Sequence, residues 1–246
     1  MVASWLRDAG AITVLTGAGI STDSGIPDFR GPQGVWTRNP AAQQLFTFQN
    51  YVADPDVRRL AWQNRRDHPA WSARPNAGHD ALVALERSGR LRAVVTQNID
   101  ELHQRAGTSP QKVIELHGTM FATQCLTCGH RSTMQRELQR VADGDPDPAC
   151  VECGGIQKSA TISFGQSLDP GVLAAARDAA RSCEVFLAVG SSLTVYPAAG
   201  LCDEARAAGA LFVVVNAEPT PYDLVADAIL RQPIGEILPL LVDDSQ

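Results

Sequence analysis

The chain has 246 residues, 44% of them hydrophobic and 20% charged, with a formal net charge of −6. That composition is ordinary for a globular protein of one large domain, or one domain with an insertion, and no apolar run reaches the ~20 residues that a membrane helix needs. The acidic balance argues against capture of nucleic acid through phosphate contacts, and the opening MVASWLRDAG lacks the basic stretch and apolar core of a secretory signal.

Residues 2–9 read as a short helix feeding a strand, and Ile12, Val14 and Leu15 form the apolar run of that strand. The chain then turns through Gly17-Ala18-Gly19, where small residues let backbone approach a bulky ligand. Residues 20–24 begin a helix that Gly25 breaks. Strand, glycine turn and helix start place unpaired N–H groups where a phosphate can sit. The dinucleotide fingerprint wants a third glycine, and Thr22 stands there, so the ordinary motif is absent. Next comes Ile26-Pro27-Asp28-Phe29-Arg30-Gly31, which sets an acid, an aromatic and a base beside the turn.

Residues 35–44 show no clean period. Residues 46–71 are rich in aromatics, with polar residues at helical spacing, and are expected to form a helical insertion. Residues 76–89 predict a helix with Asn76 as N-cap, Ala81, Leu82 and Leu85 on one face, and Gly89 in the left-handed position after its end. A strand over 91–96, a short helix over 99–106 ended by Gly107, and a strand over 113–116 running into His117-Gly118 follow. The last third alternates: a strand over 159–164, a helix from Asp169-Pro170 to Ser182, a strand over 185–189, a helix over 197–208 and a strand over 211–215. Near-continuous apolar strands alternating with helices predict an α/β fold, a parallel sheet covered on both faces. Ligands on such sheets sit beyond the carboxyl ends of the strands, where the Gly17, Gln97, His117, Gly190 and Asn216 segments all fall.

Four of the six cysteines form two C-x2-C pairs, Cys125 with Cys128 and Cys150 with Cys153, in a module spanning about 121–155 with a helix over 133–142. Without a secretory signal this spacing favours a tetrahedral zinc site over disulfides and a reducing, cytoplasmic setting. Four thiolates leave no open position, so the zinc is expected to be structural; His130 is a substitute ligand the site does not need. The competing reading is a nucleic-acid-binding ribbon, for which Arg131, Arg136, Arg140 and Lys158 face Asp143, Asp145, Asp147 and Glu152. Cys183 and Cys202 read as small buried hydrophobes.

Gly17-Ala18-Gly19-Ile20-Ser21 followed by Gly25-Ile26-Pro27-Asp28-Phe29-Arg30-Gly31 resembles the signature of the sirtuins, NAD-dependent protein deacylases. Thr96-Gln97-Asn98-Ile99-Asp100, His117-Gly118 and Gly190-Ser191-Ser192 match three further motifs of that family, and the resemblance runs from about Ile12 to the last helix. It implies a Rossmann-like NAD-binding domain over 1–45, 72–120 and 156–246, and a small domain made of the helical insertion (46–71) and the zinc-binding module (121–155). The implied reaction moves the acyl group of a modified lysine in a protein or peptide to the ADP-ribose part of NAD, releasing nicotinamide and O-acyl-ADP-ribose. An ADP-ribose or NAD-binding module with little catalysis, and a protein mono-ADP-ribosyltransferase, are the other readings of the same motifs.

Residue by residue, the resemblance makes His117 the general base toward the ribose hydroxyls, a task suited to an imidazole with a pKa near 6.5. Asn98 organises the ribose and a water, Gln97 contacts the ribose, and Asp100 with the backbone of Ile99 holds the nicotinamide carboxamide. A strand-to-helix cap accounts for one of these polar groups but not for all three. Gly17, Ala18, Gly19 and Trp36 contact the cofactor, Arg30 and Asp28 in the flexible loop match the phosphate and nicotinamide-side contacts, and Phe29 shields the reactive ribose. Gly190, Ser191 and Ser192 face the pyrophosphate, Asn216 with Glu218 the adenosine ribose, and the backbone of Ile234 the adenine. Ile162, Phe164 and Gly165, in the stretch 162–168, pair with the substrate backbone. His79 reads as structural, and His68 and His103 as surface positions or supports behind the site.

Two departures bear on substrate choice. Lys158-Ser159 stands where most sirtuins carry Arg-Pro, and Gln166 replaces the glutamate after Phe164-Gly165. Sirtuins that prefer acidic acyl groups carry Tyr-x-x-Arg in the helical module; Trp62 and Arg65 align there. A solvated arginine in the Arg65-Arg66 pair is the plainer expectation.

Overall fold

The computed structural model describes residues 1–28, 31, 34–38 and 47–243. The chain opens with helix α1 (Val2–Asp8) and strand β1 (Ile12–Thr16), then a 3-10 helix, Ala18–Ser24, and a short helix α2 (Val35–Arg38). Helices α3 (Phe48–Ala53), α4 (Pro55–Arg66) and α5 (Ala77–Arg87) precede β2 (Leu91–Thr96), α6 (Leu102–Ala106) and β3 (Val113–Glu115). A small region holds β4 (Gly118–Cys125), β5 (Arg131–Thr133), α7 (Met134–Ala142) and β6 (Gln157–Thr161). The remainder is α8 (Pro170–Arg181), β7 (Val185–Val189), α9 (Gly200–Ala207), β8 (Leu211–Val215), β9 (Ala228–Leu230) and α10 (Ile234–Val242).

Six strands form one sheet in the order β3-β2-β1-β7-β8-β9, every neighbouring pair parallel. The order reverses between β1 and β7, which makes the carboxyl ends of those strands the crevice of a Rossmann-like sheet. Side chains alternate between faces with period two, so each strand feeds two cores. Leu15, Val95, Phe186, Ala188, Phe212 and Val214 pack on one face against Ala176 and Ala180 of α8 and Leu201 and Cys202 of α9. Val14, Val94, Leu187 and Val213 face the other way, onto Leu6 of α1, Leu82 and Leu85 of α5, and Leu238 of α10. Burial on both faces explains why these strands read as unbroken apolar runs. Cys183 and Cys202 are buried, as expected of small hydrophobes.

Helix α5 begins as its sequence predicts: the Asn76 side chain accepts from the Gly78 N–H, and Gly89 follows the helix with φ +79°. His79, rather than a glutamate, completes the capping box by accepting from the Asn76 N–H.

One strand departs from expectation. The segment expected at 159–164 forms at Gln157–Thr161 instead, and it pairs antiparallel with β4 in a three-stranded sheet, order β5-β4-β6. Gly118 permits the change of sheet. Its φ is +68°, and a Cβ there would lie 2.0 Å from the Ala160 carbonyl. The helix expected from 99 begins at Leu102, because Glu101 adopts φ +54° and stops the helix from extending backward. Within the insertion, Tyr51 donates to the Gln157 carbonyl at 2.6 Å and Arg58 pairs with Asp147 at 2.7 Å, so α3 and α4 rest on the small sheet and its loop.

Candidate active site

The strand ends gather the polar residues. β1 ends at Thr16, and the next three residues wrap against the loop after β7: the Gly17 N–H donates to the Val189 carbonyl and the Gly19 N–H to the Gly190 carbonyl. A Cβ at Gly17 would fall 2.6 Å from the Gly190 oxygen, one at Gly19 2.7 Å from the Gly190 Cα, and one at Gly190 2.5 Å from the Ile20 nitrogen. On the Cβ side each of these glycines meets the neighbouring loop. These glycines let two strand ends touch.

Ser21, buried in the 3-10 helix that follows, joins two of them. Its hydroxyl donates to Asp100 Oδ2 at 2.7 Å and accepts from Asn98 Nδ2 at 3.2 Å. Asn98 Nδ2 also donates to the Gly17 carbonyl at 3.1 Å, and the Asn98 N–H to Thr96 Oγ1 at 3.0 Å. Asp100 Oδ1 accepts from the Leu102 N–H, so this carboxylate does cap α6, as the plain structural reading allows for one of the trio. Burial raises the Asp100 carboxyl above its usual range, against the hydrogen bonds from Leu102 and Ser21 that favour the anion. Gln97 reaches the other loop, donating from Nε2 to Ser191 Oγ at 2.9 Å. Ser191 Oγ also accepts from the Leu193 N–H, which leaves its own proton to give.

His117 lies just past β3, half-buried, with Nδ1 2.9 Å from the Gln97 carbonyl. A carbonyl only accepts, so Nδ1 carries the proton and the neutral ring keeps its lone pair on Nε2. Burial holds the ring below the usual histidine pKa, outweighing the Gln97 hydrogen bond that favours the cation. The His117 carbonyl accepts from the Ile162 N–H at 2.9 Å, which ties this histidine to the stretch expected to bind substrate. Phe164 lies farther along, where its carbonyl accepts from the Phe48 N–H of α3, and Gly165 turns the chain with φ +81°. Gln166 closes that turn by accepting from the Ser163 N–H.

Asn216 follows β8 and donates from Nδ2 to the Glu218 carbonyl; neither residue is hydrogen-bonded to the Gln97 to Asp100 cluster among the described residues. Ile234 opens α10, its Cγ2 3.1 Å from where a Gly78 Cβ would stand. Ser192 is bonded to Thr194. Asp28 accepts from the Gly31 N–H and, through its carbonyl, from the Val35 N–H. Phe29 and Arg30 lie outside the described residues, as does the side chain of Trp36.

Of the two positions expected for His103 and His68, surface or support behind the site, the structure gives His103 the second. His103 is not a surface residue: it is 1% exposed, with Nε2 2.9 Å from Thr16 Oγ1, which donates on to Thr96 Oγ1, the acceptor of the Asn98 N–H. His68 caps the 3-10 helix Pro69–Trp71 through Nδ1. The one available signal was the threonine ending each of β1 and β2, a polar residue closing a mostly apolar strand.

Lys158 and Arg65 also turn inward. Lys158 is 3% exposed and donates to the Ser159 and Thr161 carbonyls; burial, with Arg65 nearby, lowers its pKa to about 7. Arg66, paired with Asp67, is the solvated member of the arginine pair. Arg65 is half-buried, its pKa lowered to about 10 by burial, and it points a nitrogen at Thr161 Oγ1 with no carboxylate partner among the described residues. The expectation of a solvated Arg65 is therefore corrected.

The four cysteine sulfurs lie within 4.8 Å of one another, with Cys125 to Cys153 at 3.5 Å and Cys128 to Cys150 at 3.7 Å. A tetrahedron with ~2.3 Å metal–sulfur bonds has edges of about 3.8 Å, so the cluster fits one structural zinc. Gly129 and Gly154, at φ +73° and +70°, turn the chain after each pair. The nucleic-acid reading loses half its cations here: Lys158 is buried, and Arg140 is bound to Glu137, Asp145 and the Ala149 carbonyl. Among the described residues no helix is long and apolar enough to cross a membrane.

Comparison with known proteins places this arrangement. The model of the Sir2 family matches residues 17–197. NAD-dependent protein deacetylase 2 of Streptomyces coelicolor is 53% identical over 231 residues, 94% of this chain and 96% of that protein. NAD-dependent protein deacylase 2 of Pyrobaculum aerophilum is 38% identical over 99% of this chain and 94% of its own length. Among solved structures, a Sir2 variant with a deacetylated p53 peptide and 3′-O-acetyl ADP-ribose superposes with a TM-score of 0.88 at 34% identity, covering 96% of this chain and 94% of that one. A second, a Sir2–p53 peptide–NAD⁺ complex, gives 0.86 at 34% identity over 96% and 93%. Matched in sequence and in fold along nearly its whole length, the chain belongs to the Sir2 family.

Proposed function

We propose that this protein is an NAD-dependent protein lysine deacylase, acting first on acetyl-lysine and yielding nicotinamide, free lysine and O-acyl-ADP-ribose. The observation that carries the reading is the His117–Gln97 hydrogen bond, which leaves a neutral imidazole with its basic nitrogen free in the same rim as Asn98 and Asp100. The names of the relatives, deacetylases and a deacylase that use NAD, point the same way.

The residues suit NAD. When bound, NAD supplies the ribose that takes the acyl group and nicotinamide as the leaving group. The chain's own part is to hold and to move protons. His117 Nε2 accepts the proton of a ribose hydroxyl, and the Nδ1–H bond to Gln97 steadies the cation that results. Asn98 and Asp100, costly to bury without partners, are fixed by Ser21; Asn98 keeps Oδ1 as an acceptor toward the ribose, and the remaining Asp100 lone pairs, with the backbone of Ile99, face the carboxamide. The Ser191 hydroxyl and the N–H groups after Gly190 serve the pyrophosphate, and Asn216, Glu218 and Ile234 the adenosine. Gly17, Ala18, Gly19 and Trp36 contact the cofactor, Arg30 and Asp28 its phosphate and nicotinamide sides, and Phe29 shields the ribose. Ile162, Phe164 and Gly165 offer main chain to an acylated peptide beside the base. In this reading residues 1–45, 72–120 and 156–246 form the NAD-binding domain, and 46–71 with 121–155 the small one.

One observation favours a second acyl class. Arg65, half-buried beside the start of the substrate stretch without a carboxylate partner, suits an acidic acyl group such as succinyl. The test is mass spectrometry of acetyl-, succinyl- and long-acyl-lysine peptides incubated with NAD, counting nicotinamide released. One nicotinamide per acyl group is expected, and deacylation that runs to completion in NAD-free buffer would sink the proposal. Removal of succinyl that disappears in Arg65→Met, with acetyl removal retained, would establish the second class.

A further inference from the structure

Asn216 and Arg231 follow neighbouring parallel strands: β8 and β9 pair Val215 with Leu230, and these two residues come next on each. The Asn216 N–H continues the ladder by donating to the Leu230 carbonyl at 3.1 Å. Asn216 Nδ2 lies 2.7 Å from the Glu218 carbonyl. Because a carbonyl only accepts, the nitrogen of the amide is committed there, and Oδ1 is left as its acceptor.

Arg231 holds this corner. One terminal nitrogen of its guanidinium donates to the Asn216 carbonyl at 2.7 Å and to the Glu218 carbonyl at 2.9 Å. The other is paired with the Asp223 carboxylate, which also accepts from the Thr220 hydroxyl at 2.7 Å. A single side chain thus ties the end of β9 to three points of the 216–223 loop, with the planar fork that only arginine offers. Its charge is spent on Asp223. What the corner presents to a ligand is the Asn216 acceptor, which a sugar hydroxyl satisfies and a phosphoryl group does not.

We propose that Arg231, anchored by Asp223, is a positioning residue that holds Asn216 Oδ1 where it accepts a hydroxyl of the adenosine ribose. The proposal rests on the NAD-site reading above, and it adds two residues that none of the motifs of that reading contains.

The experiment is calorimetry with ADP-ribose and with its 2′-deoxy- and 3′-deoxyadenosine counterparts, on the wild type, Arg231→Met and Asp223→Asn. Loss of one well-placed hydrogen bond is worth about tenfold in affinity, so the wild type should bind one of the deoxy ligands about tenfold more weakly than ADP-ribose. In Arg231→Met the affinity for ADP-ribose should fall by a similar factor, and the penalty for the missing hydroxyl should vanish. Asp223→Asn, which keeps the size of the side chain, should move both quantities in the same direction. A role confined to folding would weaken all the ligands alike. Arg231→Met that keeps the full deoxy penalty would therefore overturn the proposal, and so would unchanged ADP-ribose affinity. A folded wild type that binds no ADP-ribose would overturn the NAD-site reading itself, and this inference with it.

Discussion

His117 Nδ1 lies 2.9 Å from the carbonyl oxygen of Gln97, the first residue after a neighbouring strand, and this one bond decides which nitrogen of the ring is the base. Replacing His117 with alanine removes that base. General-base catalysis contributes ~10²–10⁴-fold, so deacylation of an acetylated peptide should fall by that order. Affinity for NAD by calorimetry should change little, since Ser191 and Asn216 are held by bonds that do not involve His117. Nicotinamide exchange, which needs the acyl oxygen rather than the imidazole, should persist in part. A folded variant deacylating at the wild-type rate would remove His117 from the mechanism.

Acid should destabilise the fold through two buried histidines. His79 and His103 lie with ring centroids 5.0 Å apart, tilted by 54°, and burial lowers their pKa values to about 4 and about 3 from 6.5. The unfolded chain therefore takes up protons at a higher pH than the native one. Stability is full above about 6.5 and falls as pH drops toward 4, by up to about 1.4 kcal/mol per pH unit for each ring. His68, lowered to about 4 by burial and by Arg65, adds in the same direction. Urea unfolding at a series of pH values between 4.5 and 7 should show this slope, and His103→Gln should flatten it. A wild-type slope near zero would mean that these rings are charged in the native state.

The cysteine cluster should matter to stability and not to chemistry. Cys128→Ser is expected to lose zinc and to lower Tm by at least ~4 °C, the shift that one to two kcal/mol makes in a chain of this size. Chelation of the wild-type protein should do the same. Zinc content by atomic absorption and Tm by calorimetry are the measurements; a variant keeping both would show that the four thiolates do not form the site.

Gly118→Ala tests the change of sheet beside His117. The backbone there has φ +68°, and the new methyl would lie 2.0 Å from the Ala160 carbonyl. Backbone atoms cannot yield as a side-chain tip can, so the cost should exceed ~2 kcal/mol. Urea denaturation should show that loss, together with reduced deacylation as β6 and Ile162 shift from His117. Stability equal to the wild type would mean that the strand pairing relaxes more readily than these distances imply.

Much of this molecule is legible in one dimension. Strands β1, β2, β7 and β8 are near-continuous apolar runs, the pattern of a doubly covered parallel sheet, and that sheet sets the Gly17, Gln97, Gly190 and Asn216 segments beyond strand ends on one edge. Asn76 and Gly89 marked the ends of α5 because caps and left-handed turns are local chemistry. The C-x2-C spacing named the zinc ligands for the same reason.

What required the tertiary structure was long-range. The partner of Gly17 and Gly19 is a loop some 170 residues away, so their purpose as points of backbone contact was invisible in the glycine turn itself. β6 went to the small antiparallel sheet because a five-residue strand does not encode which edge it joins. Arg65 and Lys158 read as surface cations, and His103 as a peripheral ring, because burial is set by what packs over a side chain and not by its own identity. The tautomer of His117 belongs to the same class of fact: sequence supplied the imidazole, and the Gln97 carbonyl, twenty residues away in the chain and 2.9 Å away in space, assigned its proton.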